Sequence, residues 1–503
     1  SGETLAAVRE MTDRLWQTPF SSRVDSITNF QWTRSDGDDV IISDLVEEGL
    51  ITPEIADNAK RVALDEPLIR NLLVDSEGLV TGININIIMP EDPIASGGAT
   101  IEIMKFIRSE QARIAEVWPN IDLYVSGGVP LTLAFTEVSM KDISTLLPLT
   151  LLVIFIIAGI ALKAISAAFL TALIAILAAV GMMGAAGYMG VIINAVTSNA
   201  PLMLFILSIA HCVHIISTQR QQMRSGIEKK DAIIESLRVN LQPVFITSAT
   251  TAVGFLSMHF SDSPPFRELG YMLAAGNLIA FVNAVLVLPA LLAILPAKVQ
   301  QKETYFSKSL MEKLSNFVIV KQKMLLPVSS IVIVCLLLGI TNIKLDDTWT
   351  TYFDKQFEIR AHSDFLEDNL TGLNAIEYSV PAGEDGGINN PTYLANLDKF
   401  ANWYRTQEGV NHVSVVSDTI KRLNKAMNND DETFYKIPES QELAAQYLLL
   451  YELSVPFGLD LNSSINVSKS ATRMTVSVQH ASSAHLRSLD AKAQVWLGEN
   501  IPE

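Results

Sequence analysis

Only two of the 503 residues are cysteine, Cys212 and Cys335, and both stand in apolar runs. That excludes a disulfide framework and any CxxC metal pattern. Charge is scarce too: Asp, Glu, Lys and Arg make up 18% of the chain, below the usual quarter. No GxxxxGK[ST] loop occurs, so the chain does not power itself with ATP. No nucleophile triad or nucleotide fold is legible, and no cofactor is expected. The formal net charge is −17, whereas a nucleic acid would call for basic surface. Asp36, Asp38 and Asp39 fail the spacing of a calcium loop and read as a solvated acidic turn.

Apolarity is what the chain has in excess. Hydrophobic residues reach 49% and mean hydropathy is +0.29. The charges are segregated. Residues 1–143 carry 24 acidic against 11 basic groups, residues 144–343 carry 7 against 13, and residues 344–503 carry 23 against 13. A polar acidic block, a long apolar block and a second polar acidic block exclude one globular domain. About 20 apolar residues span a bilayer as a helix. Six such runs occur: Ser144–Leu162, Ala164–Met183, Asn194–Ile216, Pro243–His259, Leu269–Leu295 and Leu325–Ile343. Lys163 marks the bend between the first two. Five spans make a bundle over 144–295, and a linker over 296–324 separates the sixth, at 325–343.

Lys and Arg in short loops set orientation. Arg220, Arg224, Lys229, Lys230 and Arg238 follow the third span. Lys298, Lys302, Lys308, Lys313, Lys321 and Lys323 follow the fifth. Those loops read as cytoplasmic, with the amphipathic stretch Gln219–Leu241 along the inner leaflet. Both acidic blocks then lie outside, in the periplasm of a bacterial inner membrane. Residues 1–143 reach that side without a visible leader. A further span before Ser1 is therefore expected.

The two polar blocks look alike. A helix pattern from Leu5 leads to the strand-like Val24–Ile27, and one from Leu394 leads to Val413–Val416; the spacing is 19 residues in both. Further on, an alternating strand, Gly82–Ile88, precedes a helix, Ile101–Val117. In the second block Arg473–Val478 precedes Ala484–Leu497, then Ile501-Pro502. Period two followed by period 3.6 reads as strand then helix. Helix–strand–strand–helix suits a split βαβ sandwich lacking one strand before each first helix. Duplicated halves are common in transporters, so a second five-span bundle is expected after this chain.

Gly127-Gly128-Val129-Pro130, Lys141-Asp142-Ile143-Ser144 and Leu147-Pro148-Leu149 are similar to the approach to the second span of the resistance–nodulation–division superfamily. Thr247–Met258 resembles its fifth span. Pro265–Gly270 and Leu288–Leu292 resemble its sixth. The likeness is to the MMPL and sterol-sensing branch and covers nearly the whole chain. It implies an α-helical polytopic membrane protein with ferredoxin-like α+β porter domains. The implied function is secondary transport of a hydrophobic or amphiphilic, lipid-like substrate, driven by a proton gradient. It is not an enzyme. Membrane lipids, the substrate, periplasmic accessory proteins and a second copy of the chain are the implied partners. The alternative is a sterol- or lipid-sensing membrane protein that does not pump, or a scaffold on an anchor. Bacterial exporters of this branch carry Ala-Asp-x-x-His in the family's fourth span. Here Ala210-His211-Cys212-Val213-His214 stands there. His214 matches, and His211 takes the acid's slot. In the frame of the Asp-Tyr branch, Ala210 would. Either way the carboxylate is missing.

Ionisable groups in a span are costly and usually functional. His211 and His214, three apart, share a helix face. The pair is the proton-coupling candidate, since imidazole titrates near neutral pH; neutral helix glue is the competing reading. Asn194, Ser198, Asn199 and Ser208 are polar residues of the same span. Thr247, Ser248, Thr250 and Thr251 on the next one either bond neighbouring helices or face the histidines. Two histidines without a carboxylate or thiolate partner make no metal site. Cys212 lies off their face and serves packing. Gly181, Gly184, Gly187 and Gly190 read as a tight-packing stripe, and Pro148, Pro201 and Pro289 as kinks.

Overall fold

The computed structural model describes residues 1–37, 39–162, 164–296, 305–456 and 458–501, with the backbone alone over 305–310. Asp38, Lys163, Lys298, Lys302 and Pro502 lie outside the described residues, as does the Lys308 side chain. Residues 1–133 and 344–503 form one compact unit, and residues 134–343 another.

The first polar block runs α1 (Gly2–Leu15), β1 (Ser21–Asp25), β2 (Gln31–Asp36), β3 (Asp39–Asp44), α2 (Pro53–Asp65), β4 (Asn84–Ile87) and α3 (Pro93–Val117). The helices start where their caps allow. Ser1 Oγ accepts from Thr4 N, and Asp92 accepts from Ala95 N ahead of Pro93. Cap and proline together start α3 well before Ile101. β2 and β3 pair as a hairpin that closes at Asp36 and Asp39.

The helical unit contains α4 (Gly128–Leu162), α5 (Ile165–Tyr188), α6 (Ala200–Arg224), α7 (Lys229–Leu256), α8 (Pro264–Val282), a π turn at Asn283–Val287, α9 (Leu288–Ile294) and α10 (Tyr305–Gly339). Six helical stretches are long and apolar enough to cross a membrane: Gly128–Leu162, Ile165–Tyr188, Thr197–Arg224, Lys229–Phe260, Pro264–Ile294 and Met311–Asn342. They match the six runs in the sequence but extend past them, because polar residues at a span's ends continue the helix. Gln219–Leu241 is accordingly the end of α6 and the start of α7, turned at Gly226 (φ +91°), not a separate surface helix. Pro201 sits in the first turn of α6, where the missing N–H costs little. Pro148 lies inside α4, and Pro289 follows the π turn within the continuous stretch Pro264–Ile294. The core of this unit joins Met182, Leu204, Met272 and Leu273 in one cluster and Ile174, Ile215, Ile216 and Leu288 in another. α10 buries nothing among the described residues. Of the four glycines in the stripe, only Gly181 packs closely: a Cβ there would meet Ile279 Cγ2 at 3.0 Å, while Gly184 and Gly187 face open space.

The second polar block runs α11 (Glu358–Asn369), β5 (Asn374–Pro381), α12 (Pro391–Arg405), β6 (Val410–Ser414), α13 (Val416–Ala426), α14 (Gln441–Ser454), β7 (Ala471–Val478) and α15 (Ser483–Asn500). Its sheet has the order β5–β7–β6, antiparallel throughout. β5 thus supplies a strand ahead of the first helix, which corrects the expectation that this block lacks one. The Val413–Val416 strand ends early, since Val416 already opens α13.

The repeat extends to strand register. Val24 faces Ile85 across β1–β4, and Val413 faces Val476 across β6–β7. Each ladder shifts register at the same place, between Ser21 and Arg23 and between Val410 and His412. Such bulges are built-in features of a strand pair. Leu5, Val24, Leu394 and Val413 are all buried. Burying each of these side chains contributes about 1.5–3 kcal/mol. The two blocks also bond directly. His412 Nδ1 lies 3.1 Å from the Arg70 carbonyl, Arg422 Nη2 donates to Thr33 O at 2.6 Å, and Ser35 N donates to Asp430 Oδ2 at 2.8 Å.

Candidate functional site

The approach to α6 is built by its own polar residues. Asn194 Oδ1 accepts from Val196 N and Thr197 N at 3.0 and 3.1 Å, and Asn194 Nδ2 donates to Glu268 Oε2 at 3.2 Å. Ser198 Oγ and Asn199 Nδ2 both donate to Ala195 O. These three residues therefore close the turn that starts the helix, rather than lining its middle.

Further along α6, the apolar helix carries Ser208 and His211 into the bundle, at 1% and 3% exposure. His211 Nε2 lies 3.0 Å from Ser248 Oγ on α7. Asn277 Nδ2, from α8, donates to the Ser248 carbonyl at 2.7 Å. Three helices thus meet at one polar point inside an apolar core. His211 Nδ1 and Ser208 Oγ are both buried without a hydrogen-bond partner. With Ser248 Oγ donating, Nε2 accepts and Nδ1 carries the proton; with Nε2 donating, Nδ1 is the free base. Either tautomer leaves one ring nitrogen available for proton exchange.

His214 does not join this point. Three residues advance a helix by about 300°, and the remaining offset turns His214 outward, where it is exposed. Thr247 and Thr250 are exposed and donate to Pro243 O and Ile246 O of their own helix. Thr251 is half-buried. Of the ten residues singled out in the sequence, the structure brings together His211 and Ser248, while Ser208 is buried on the same helix without a partner. The structure adds Asn277, which is 1% exposed and was missed. The signal was present as an amide, one of two with Asn283, within an apolar span, where polar groups are costly. Among the described residues no cluster of three or more His, Cys, Asp or Glu side chains could hold a metal ion. Cys212 is buried and free, and Cys335 is exposed and free.

The other unit encloses a cavity of about 1540 Å³ between its two polar blocks. Met11, Ile85, Ile103, Ile107 and Leu370 give it apolar walls, with Glu110 and Arg473 among its polar groups. Arg14 donates to Glu110 at 2.7 and 2.6 Å and Arg113 donates at 2.8 Å. Arg14 first, then Arg113, holds that carboxyl well below the usual range, at about 2, against the opposing pull of burial.

Long apolar helices packed into a bundle, with a polar point buried at its middle, define a multi-pass membrane protein. Residues 94–310 match the model of the MMPL family. The match covers α3 and the five-helix bundle and bears out the resemblance read from the sequence. Together with the six apolar helices, it fits a transporter. No curated protein matches the chain.

Proposed function

We propose that this chain is a proton-coupled secondary transporter of a hydrophobic or amphiphilic, lipid-like molecule. The observation that carries this reading is His211, buried at the meeting of three membrane helices with one ring nitrogen unpartnered. It occupies the slot where the resembling exporters carry an aspartate. An imidazole can take and release a proton without a carboxylate. A charged imidazolium facing hydrocarbon would cost several kcal/mol, and the polar contacts of Ser248 and the nearby Ser208 hydroxyl ease that cost. The walled cavity between the polar blocks supports binding of an apolar substrate outside the bilayer. The lysines and arginines in the loops support a periplasmic position for that unit at a bacterial inner membrane.

Labelled lipid in proteoliposomes under an imposed pH gradient tests the reading. His211→Ala should abolish gradient-driven transport, while folding and lipid binding persist. His211→Asp should retain activity. Transport at the normal rate by both His211→Ala and His214→Ala would overturn the histidine relay. The missing carboxylate favours a second reading, a lipid sensor that binds without pumping. It predicts lipid binding with no gradient-driven movement in the unaltered protein.

A further inference from the structure

At the loop end of α6 a second buried polar point stands apart from His211. Arg220 is 7% exposed, and its Nε is buried without a partner. Arg224, one turn further, also has a buried Nε without a partner. Two guanidinium groups one turn apart share a face of the helix. The carboxylates of the adjoining turn do not neutralise them. Glu228 and Asp231 are exposed. Glu235 is engaged by Arg238 at 2.7 Å. Lys229 closes the same end of the bundle, donating to Ala293 O and Leu295 O at 2.6 and 2.8 Å.

A buried charge without a counter-charge is expensive, several kcal/mol after relaxation. Arginine cannot escape that cost by losing its proton. Among the described residues no carboxylate supplies the counter-charge, and an anion brought from outside the chain would. The position along the helix indicates its depth. Nine residues separate Arg220 from His211, roughly 14 Å of helix at the standard rise. Half of a hydrocarbon core is about 15 Å. With His211 near mid-membrane, Arg220 lies level with lipid headgroups. Guanidinium forks match phosphate oxygens bidentately. Basic pockets between membrane helices on the cytoplasmic side take anionic headgroups.

The geometry points to a phosphate-binding site formed by Arg220 and Arg224, filled by the phosphate of a lipid headgroup of net negative charge or by free phosphate. This site does not depend on the coupling role of His211. It neutralises the loop end of α6 and ties the bundle to the lipid or anion that occupies it.

The test uses the full chain in nanodiscs of phosphatidylcholine, with and without phosphatidylglycerol, and in detergent with and without millimolar inorganic phosphate. Melting temperature and lipid retention in native mass spectrometry are the readouts. Phosphatidylglycerol should raise the melting temperature of the unaltered protein. Retention should fall about tenfold in Arg220→Gln/Arg224→Gln, in line with loss of charge-assisted bonds. Arg220→Lys, which keeps the charge and loses the fork, should fall between. The double variant removes an uncompensated charge, so its melting temperature in pure phosphatidylcholine should not drop. A rise with inorganic phosphate alone, lost in the double variant, would assign the site to a soluble anion. If neither anion stabilises the unaltered protein, or if the double variant responds equally, the site is overturned.

Discussion

His211 Nε2 and Ser248 Oγ stand 3.0 Å apart on neighbouring membrane helices. The Ser248 carbonyl is itself held by Asn277 at 2.7 Å. The serine is therefore positioned from the far side before it meets the imidazole. Ser248→Ala removes the ring's one partner and should cost about 1 kcal/mol of stability. It should also move the pH midpoint of gradient-driven transport, with little loss of maximal rate. A proteoliposome pH profile of the two proteins reads both. An unchanged midpoint would show that the serine does not act through His211.

His412 gives the polar unit a pH dependence. Burial pushes its imidazole down to about 4, and its Nε2 has no partner. The folded state therefore holds it neutral, while an exposed imidazole takes a proton at about 6.5. Its contribution is complete above that value and is lost as pH falls toward 4. Protection factors of the amides over 69–74 and 410–414, corrected for intrinsic exchange, should fall between pH 7 and pH 5. His412→Gln, which cannot take a proton, should flatten that response.

Glu110 acts at lower pH; its folded state also favours the deprotonated form, which here is the charged one. Its folded carboxyl, held at about 2 chiefly by Arg14, is charged where an unfolded one begins to protonate. The stabilisation is present above about pH 4.5 and disappears as pH falls toward 2. Glu110→Gln removes the partner that Arg14 and Arg113 share; Arg14 is 41% exposed and Arg113 keeps Glu10, so stability at pH 7 should fall by about 1–2 kcal/mol. Chemical denaturation at pH 7 measures this. At pH 2 the variant and the unaltered protein should converge.

Close approach of helices is concentrated at two glycines outside the visible stripe. A Cβ at Gly270 would lie 2.5 Å from Phe255 O, and one at Gly276 would lie 2.8 Å from Met182 Sδ. Gly270→Ala should destabilise the bundle by about 1–3 kcal/mol. Gly184→Ala meets nothing and should stabilise its helix by up to about 1 kcal/mol. Thermal unfolding in detergent separates the two.

The spans were legible because membrane helices are written as apolar runs of fixed length. The matched helix-to-strand spacing was legible because Leu5–Val24 and Leu394–Val413 are equally far apart and all four side chains are buried. β5 was overlooked, although Ile376-Glu377-Tyr378-Ser379-Val380 alternates apolar with polar residues in step with its burial. Its pairing with β7 comes from a strand about a hundred residues further along the chain. Helical spacing placed His211 and His214 together, but only the neighbouring helices decide which of two residues 60° apart faces inward. Asn277 and the three α6 turn residues were misjudged for the same reason: a polar residue's partner lies on another element or on its own backbone, and the linear pattern does not distinguish them.

The π turn at Asn283–Val287 sets the phase of the last span. Ala280, Ala284, Leu288 and Leu292 are all buried and recur every fourth residue. On a regular helix each such step overshoots a full turn by about 40°, so the stripe would wind off the core. A wider turn takes up an extra residue and rewinds part of that drift. Deleting one residue within 283–287 would rotate Leu288 and Leu292 by about 100° and turn this end of the helix away from the core, with its composition otherwise unchanged.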